Sequence, residues 1–237
     1  MNPLSGVLGE AWQMYKAHAG HLLAIAFVIY LAAAVITALL GRVGAVGAVL
    51  GFVVEIIAAF LLQATLVKAV QDVRDGRVDL SIRATVSAAT PYIWSVFAAS
   101  FLAGIAIAIG LALVIVPGLY LITIWAVIVP IIVLEGAGVF SSFGRSYHLV
   151  RGHGWHVFAT LVLLFVILLV VQLILGLIFV VLPNFWRTGL SSIISGTLIA
   201  PFVALVVTLV YYRLSDNEQM TAPPGGGEAH GEYRQAP

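Results

Sequence analysis

The hydrophobic positions of the chain fall into six long apolar runs, separated by short polar or glycine-rich segments. A helix of roughly 17 to 25 apolar residues crosses the hydrocarbon core of a membrane. The pattern therefore predicts an all-α integral membrane protein with six transmembrane helices. The predicted spans are residues 22–40, 44–70, 92–116, 119–134, 155–182 and 190–214. The fourth is the shortest, and we expect it to pack among its neighbours.

Three shorter segments show apolar residues at helical spacing opposite polar ones. They cover residues 4–17, 79–90 and 140–152, and each stands directly before an apolar run. A short amphipathic helix of this kind lies in the headgroup plane and does not cross the bilayer. In the third segment the predicted apolar face holds Phe140, Phe143, Tyr147 and Val150, and the predicted polar face holds Ser141, Ser142, Arg145 and His148.

The three amphipathic segments can be superposed on one another. A shift of 135 residues places Trp12 on Tyr147 and Lys16 on Arg151, and a shift of 61 places Trp94 on Trp155. The sequence therefore predicts three repeats, each an amphipathic interfacial elbow helix plus a transmembrane hairpin. Internal repeats of this type are common in transporters.

Glycine and proline mark turns and close contacts between the predicted spans. Pro117 and Gly118 interrupt a continuous apolar stretch, so we expect the third span to end there and the fourth to follow. Two pairs of small residues at a spacing of four predict close helix packing. These pairs are Gly47 with Gly51 and Gly104 with Ala108.

Composition excludes several classes of protein. Hydrophobic residues make up 62% of the 237-residue chain and charged residues only 9%, whereas a soluble domain carries about 25% charged residues. The net charge of +1 and the lack of a basic block argue against a nucleic-acid partner. The chain has no cysteine, which excludes disulfides and thiolate metal sites.

The basic residues predict the orientation, because Lys and Arg concentrate in cytoplasmic loops. With the N-terminus inside, nine of the eleven lie on the cytoplasmic side: Lys16, Lys68, Arg74, Arg77, Arg83, Arg145, Arg151, Arg213 and Arg234. Arg42 and Arg187 lie outside. We therefore expect a bacterial cytoplasmic membrane protein with both termini in the cytoplasm. Residues 1–214 form the predicted six-helix membrane domain, and residues 215–237 a disordered cytoplasmic tail.

Three polar residues fall inside predicted spans. Glu55 and Gln63 share a face of the second span, and Gln172 lies in the fifth. An ionisable residue at membrane depth is a functional hypothesis by default, here a polar track for a proton or small solute. The alternative is a protonated Glu55 that hydrogen-bonds a neighbouring helix and helps the helices associate.

The remaining candidate residues lie at the predicted cytoplasmic interface. Lys16, Arg145, Arg151 and Trp155 are of the types that contact anionic headgroups. Glu135 ends the fourth span, and its predicted partner is Arg145 or Arg151. That pair could act as a gate, but a structural ion pair fixing the elbow to the fourth span is the favoured interpretation.

No motif indicates catalysis. The pairs His18 with His21 and His153 with His156 have a spacing that could share a metal if two elbows met, but neither pair contains the carboxylate of a metalloprotease motif. A nucleophile elbow, a phosphate-binding loop and an HExxH sequence are all missing from the chain. We therefore expect no enzyme activity, no cofactor and no metal site.

Several motifs resemble a known family. They are Pro117-Gly118-Leu119-Tyr120, Trp125, Pro130, Leu134-Glu135 and the stretch from Ser146 through Arg151-Gly152 to Trp155. With the opening elbow, they resemble the membrane domain of glycerophosphoryl diester phosphodiesterases and related six-helix bacterial membrane proteins, over about residues 4–214. One departure is Ile124, where many relatives place a basic residue. The resemblance implies a fold and little about activity, since the phosphodiesterase chemistry of the namesakes belongs to a separate soluble barrel.

Two functional classes remain open. The favoured one is a multi-pass accessory, scaffold or lipid-contacting module, because the polar features cluster at the predicted cytoplasmic interface. The alternative is a small-solute or proton-coupled transporter or channel with Glu55 in its pathway. The expected partners are membrane lipids, with a membrane protein partner or a homo-oligomer left open.

Overall fold

The computed structural model is helical throughout the residues it describes, which are 4–75, 82–180 and 184–221, with backbone alone for 82, 184–192 and 221. Six helical segments in this part of the chain are long and apolar enough to cross a membrane. They are Ala19–Val43, Ala45–Arg74, Arg83–Leu113, Ile115–Glu135, Gly154–Phe179 and Ile193–Met220. The predicted all-α class with six candidate spans is therefore confirmed. The predicted segments at 79–81, 181–183 and 222–237 lie outside the described residues.

Ten α-helical elements are described along the chain. They are α1 Val7–Ala17, α2 Ala19–Leu40, α3 Ala45–Arg74, α4 Ile82–Ala89, α5 Ile93–Leu113, α6 Ile115–Ile124, α7 Ile128–Pro130, α8 Val139–Val150, α9 Gly154–Phe179 and α10 Asn184–Thr221. Short 3₁₀ turns precede α3 and α5, and α7 continues as a π-helix over Ile131–Glu135. The short helices α1, α4 and α8 occupy the three segments predicted as surface helices, whereas their arrangement as repeats stays a prediction.

The buried side chains concentrate in the half of the bundle next to α1 and α8. One cluster joins α1, the first turns of α2 and the last turns of α3 and α10, with Leu22, Leu66 and Leu205 among its fully buried members. The opposite half of the bundle exposes large apolar side chains such as Phe52 and Val116. Apolar exposure of this extent is expected where helices face lipid.

The fourth span is the most enclosed of the six. In its most apolar stretch 39% of the residues are buried, compared with 6% for α9. Val127, Ile128, Ile131 and Ile132 lie in the two core clusters. The expectation that this short span packs among its neighbours is therefore met.

The turn between the third and fourth spans lies earlier than the sequence predicts. Helix α5 ends at Leu113, Val114 is extended, and α6 begins at Ile115. Pro117 and Gly118 lie within the first turn of α6, so the predicted break at these residues is wrong. A proline is tolerated there because the first N–H groups of a helix have no intrahelical acceptor. Gly118 serves close packing instead, since a Cβ at this position would lie 2.7 Å from the Leu111 backbone nitrogen.

Close helix packing occurs at one of the two predicted small-residue pairs. A Cβ on Gly47 would overlap the Leu40 carbonyl, and one on Gly51 would lie 3.0 Å from the Thr37 methyl carbon. These contacts draw α2 and α3 together into a tight hairpin. The prediction for Gly104 is wrong, because no other group lies within 4 Å of the place where its Cβ would be.

The fourth span is interrupted in its middle. Helix α6 ends at Ile124, and α7 begins only at Ile128. Pro130 has no N–H and therefore cannot donate to the Ala126 carbonyl four residues before it. Backbone that leaves the regular helix at membrane depth is tolerated where protein surrounds it, and this interruption lies in the enclosed span.

The final helix reaches beyond the predicted domain boundary. Helix α10 continues to Thr221, so the prediction of a disordered tail from residue 215 is wrong for 215–221. This extension carries Asp216 and Glu218, which contact helices elsewhere in the fold. Contacts with the bundle offset the conformational entropy lost when these polar residues become ordered. The sequence lacks apolar periodicity here, so it does not reveal these contacts.

Candidate functional site

The last turns of α10 form ion pairs with three other helices. Arg213 pairs with Glu10 on α1, Asp216 lies 3.2 Å from Arg74 on α3, and Glu218 lies 2.7 Å from Arg145 on α8. We call this group, together with Glu135, the charged layer. It ties the C-terminal end of α10 to α1, α3 and α8.

Glu135 is the centre of the best-connected part of the charged layer. Its carboxylate lies 3.2 Å from the Arg145 Nε and accepts a hydrogen bond of 2.9 Å from the Tyr211 hydroxyl. Of the two predicted partners of Glu135, the structure places Arg145 in contact. Arg151 instead lies exposed in the turn between α8 and α9. Because Glu135 ends the fourth span, these contacts fasten that span to α8 and α10.

The two carboxylates hold Arg145 in its charged form. Partial burial lowers the pKa of the guanidinium, but the contacts with Glu218 and Glu135 outweigh this effect and raise the pKa above its ordinary value. An arginine that already has two carboxylate partners is less able to bind a lipid phosphate. The predicted role of Arg145 in headgroup contact is therefore secondary to its role within the chain.

A hydroxyl of α8 contacts the interruption of the fourth span directly. Ser146 is fully buried and donates a hydrogen bond of 2.7 Å to the carbonyl of Ile124, the last residue of α6. Next to it, the rings of Trp125 and Phe143 meet edge-to-face with centroids 4.9 Å apart. The interrupted backbone is thus covered by α8 on this side.

This contact corrects the predicted faces of α8. Ser142, predicted on the polar face, is fully buried and donates to the Val139 carbonyl at 2.6 Å. Small side chains allow α8 to lie close to the span, and hydrogen bonds to backbone carbonyls satisfy their hydroxyls. Phe140, on the predicted apolar face, is 82% exposed, where it can reach lipid.

Exposed tryptophans lie on or next to the short helices α1, α4 and α8. Trp94 and Trp155 are each the second residue of a long helix and are 71% and 77% exposed. Trp12 on α1 is also exposed, and the Lys16 ammonium lies 5.5 Å from its ring. Trp at such positions is typical of the membrane–water boundary. Lys16 and Arg151 form no ion pair within the described part of the chain.

A cavity of about 340 Å³ lies beside the interruption, between α2, α3, the fourth span and α10. Ala126 and Pro130 line it on the side of the interruption. Its only polar side chains are those of Tyr30 and Gln63. The remaining lining is apolar and consists of Ala59, Leu62, Leu66, Val67, Val129, Ala200, Val203, Ala204 and Val207.

The three predicted intramembrane polar residues do not converge. Gln63 lines the cavity. Glu55, two helical turns away on the same face of α3, is exposed and accepts a hydrogen bond of 3.4 Å from Thr37. It also lies close enough to Tyr30 for the two groups to interact electrostatically. Gln172 is exposed on α9 and takes no part in the cavity lining.

The described contacts of the histidine pairs differ, and His21 lies close enough to Asp72 for the two side chains to interact electrostatically. His18 Nδ1 lies 3.3 Å from the Met14 carbonyl, and His156 lies against the start of α1. Among the described residues, no group of three His, Asp or Glu side chains has the arrangement of a metal site.

The sequence alone did not reveal the α10 half of the charged layer. Asp216 and Glu218 looked like the start of a polar tail, although Leu214, Glu218, Gln219 and Met220 all favour helix. Arg213 and Asp216, three residues apart, were a second signal that the helix continues, because such residues lie on one helical face. Their partners are more than 70 residues away in the chain, and no local pattern identifies them.

Compared with protein-family models, with curated proteins and with solved structures, the chain shows no match. Its function is therefore interpreted from the charged layer, the exposed aromatic residues and the cavity.

Proposed function

We propose that this protein is a non-enzymatic multi-pass module that contacts anionic lipid headgroups at the end of the bundle where the charged layer lies. The observation that carries the proposal is the combination of exposed Trp12, Trp94 and Trp155 with the basic residues Lys16 and Arg151. Tryptophan sets the depth of a helix at the interface. Each basic residue near an anionic surface contributes about 1 kcal/mol.

The charged layer divides the basic residues into two groups. Arg74, Arg145 and Arg213 have carboxylate partners within the chain, so their charges are already balanced. Lys16 and Arg151 are exposed without a carboxylate partner among the described residues. We therefore assign headgroup contact to Lys16 and Arg151, with Trp155 as the adjacent anchor.

The experiment compares two identical substitutions in protein reconstituted with phosphatidylglycerol and phosphatidylcholine. Lys16→Gln should weaken association with phosphatidylglycerol about fivefold, the equivalent of about 1 kcal/mol. Lys68→Gln is the matched control, because Lys68 donates to Gln71 at 3.2 Å and lies over the Tyr92 ring. Equal losses in both variants, or no loss for Lys16→Gln, would overturn the assignment.

We also propose that the membrane is the cytoplasmic membrane of a bacterium, with both termini and the charged layer inside. The support is the distribution of basic residues, nine of eleven of which fall on that side. Reporter fusions at Asp75 and Gly138 should read as cytoplasmic, and those at Arg42 and Pro117 as external. A reversed reading at any of the four positions would contradict this orientation.

The resemblance to the membrane domain of glycerophosphoryl diester phosphodiesterases is kept as a proposal about ancestry, without the enzymatic activity.

A second candidate function is movement of a proton or small solute along α3. Glu55, Tyr30 and Gln63 lie along one side of the α2–α3 pair, and the cavity occupies part of that side. A transport pathway would require Glu55 to exchange its proton. Reconstituted vesicles containing a pH-sensitive dye test this: Glu55→Gln should abolish proton flux while the protein remains folded. No flux in the unsubstituted protein, or equal flux in the variant, would exclude this pathway.

A further inference from the structure

The unusual feature of the cavity is a polar group without a partner. Gln63 is exposed and makes no hydrogen bond to any described residue. A primary amide has two donors and an acceptor, and at membrane depth no bulk water is available to satisfy them. An amide that faces hydrocarbon without a hydrogen-bond partner is unfavourable. A bound molecule with a hydrogen-bonding group would remove this deficit.

A comparison with Gln172 shows why the depth of Gln63 in the membrane matters. It is also an exposed glutamine in a span, but it lies 18 residues after Gly154 at the start of α9, or about 27 Å along the helix axis. That distance brings it close to the far side of a core of about 30 Å, where an amide can reach the headgroups. Gln63 lies five residues before Lys68, which is about 7.5 Å into the core. Of these two glutamines, only Gln63 lies both in the hydrocarbon layer and beside the cavity.

The interrupted backbone supplies a second polar group. Ala126 and Pro130 both line the cavity, and Pro130 cannot donate to the Ala126 carbonyl. That carbonyl therefore lacks its regular helical donor, and in our interpretation it can accept from a hydroxyl in the cavity. Interrupted helices form binding sites in membrane proteins for the same reason, since their backbone groups are free to bind a ligand.

The lining defines the chemical class of the ligand. No charged side chain belongs to it, so an ionised ligand would lack a counter-ion in a low-dielectric site. The volume of about 340 Å³ falls in the range of roughly 300 to 1,000 Å³ that small-molecule sites occupy. Small residues on two walls, Ala59 on α3 and Ala200 and Ala204 on α10, leave room for an alkyl chain.

We propose that this cavity binds one uncharged lipid, an acyl chain bearing a hydroxyl and an ester, with Gln63 as its hydrogen-bonding anchor. A monoacylglycerol has this chemistry. Its head would lie below the level of Lys68, too deep for a phosphate, and its chain would lie along Ala59 and Ala204. The site uses none of the residues assigned to headgroup contact, so it extends beyond the function proposed above and can be tested separately.

The test uses the full-length protein in nanodiscs and a monoacylglycerol that carries a photoreactive diazirine on its acyl chain. Labelled residues are mapped by mass spectrometry. We expect saturable labelling within residues 59–67 and 200–207, where the acyl chain would lie, that excess unlabelled monoacylglycerol prevents. Labelling that does not saturate, or that is spread evenly over the exposed faces of the helices, would overturn the proposal. Competition by a phospholipid as effective as that by monoacylglycerol would overturn the uncharged class.

Two pairs of matched variants locate the site. Gln63→Leu should lower labelling at subsaturating probe about tenfold, the loss of one hydrogen bond in an apolar site, whereas Gln172→Leu should leave it unchanged. Ala59→Phe should abolish labelling by filling the cavity, whereas Ala108→Phe, on an exposed face of α5, should not.

Unchanged labelling in Gln63→Leu would overturn the role of Gln63 as the hydrogen-bonding anchor. If Gln63→Leu does not fold, Ala59→Phe and the competition arm decide. Lys16→Gln should leave labelling intact, which separates this proposal from headgroup contact.

Discussion

Helix α10 passes through two regions that differ in whether their polar side chains have a partner within the chain. At its C-terminal end, Arg213, Asp216 and Glu218 each have a partner of opposite charge on another helix. Three turns earlier, Ala200 and Ala204 line a cavity in which Gln63 has no partner within the described residues. The charged side chains of α10 are therefore paired within the chain, whereas the amide of Gln63 is not.

The difference indicates which region is structural and which is available to a ligand. Ion pairs near the interface lose part of their free energy to solvent screening, but a connected group of them orients the helices that carry it. An unpartnered amide in hydrocarbon is unfavourable in the absence of a ligand. We therefore expect substitutions in the charged layer to change stability, and substitutions around the cavity to change binding.

The largest effect on stability should come from Arg145→Ala. This change removes the shared cation of Glu135 and Glu218 and leaves two carboxylates near each other, so the free energy of unfolding should fall by about 2 kcal/mol. Unfolding in mixed detergent micelles measures it. Arg151→Ala, at an exposed position in the next turn, is the control and should change the free energy by less than about 0.5 kcal/mol. Equal effects of the two variants would mean that the ion pairs do not hold the bundle together.

A somewhat smaller loss is expected from Ser146→Ala. The variant leaves the Ile124 carbonyl at the interruption without its donor, and an unsatisfied buried acceptor lowers stability by about 1 to 2 kcal/mol. Ser141→Ala removes a hydroxyl of the same type from an exposed position and should be nearly neutral. If thermal unfolding in detergent shows no difference between the two, α8 does not support the interruption through this bond.

Removal of the charges on the α10 extension should have a smaller effect. Asp216→Asn weakens the contact with Arg74, which keeps its position 3.7 Å from the Tyr212 ring, so a loss of about 0.5 kcal/mol is expected for this half-exposed pair. The loss should shrink at high salt, because screening weakens the pair in the parent protein. A loss that is independent of salt would show that Asp216 acts through packing.

The smallest effect is expected from Glu55→Gln. The contact of Glu55 with Thr37 is long, at 3.4 Å, and interhelical hydrogen bonds in membranes average about 0.6 kcal/mol. Glu55→Gln preserves shape and hydrogen bonding and should leave thermal stability unchanged, whereas Glu55→Leu should lower it by about that amount. Destabilisation by Glu55→Gln alone would mean that the carboxylate has a partner outside the chain.

The parts of the fold that depend on local sequence could be predicted. The six spans and the positions of α1, α4 and α8 follow from hydropathy and helical spacing, which depend on neighbouring residues only. Close packing at Gly47 and Gly51 was predicted for the same reason. The similar motif at Gly104 failed because a small residue permits close approach without specifying which helix approaches.

The candidate site could not be predicted in full, because its residues come from distant parts of the sequence. Glu135 was correctly predicted to have an arginine partner nearby, but Tyr211 and Glu218 come from α10, more than 70 residues later. The cavity combines residues of α2, α3, the fourth span and α10, each unremarkable in its own helix. Ser142 was placed on the wrong face of α8 because spacing separates polar from apolar residues and does not tell small from large ones.

The contacts between α1 and α10 also set the order in which the chain is assembled during synthesis. Tyr15 donates to the carbonyl of Leu198 at 3.1 Å, across 183 positions of sequence, and Glu10 pairs with Arg213 across 203. A ribosome adding roughly 5 to 20 residues per second needs about 10 to 40 seconds to make the chain between these partners. The first helix therefore waits at the membrane until the last one is inserted. Closure of the bundle thus depends on synthesis of α10, and a chain released before that helix is made would leave α1 without these contacts and open to cellular proteases.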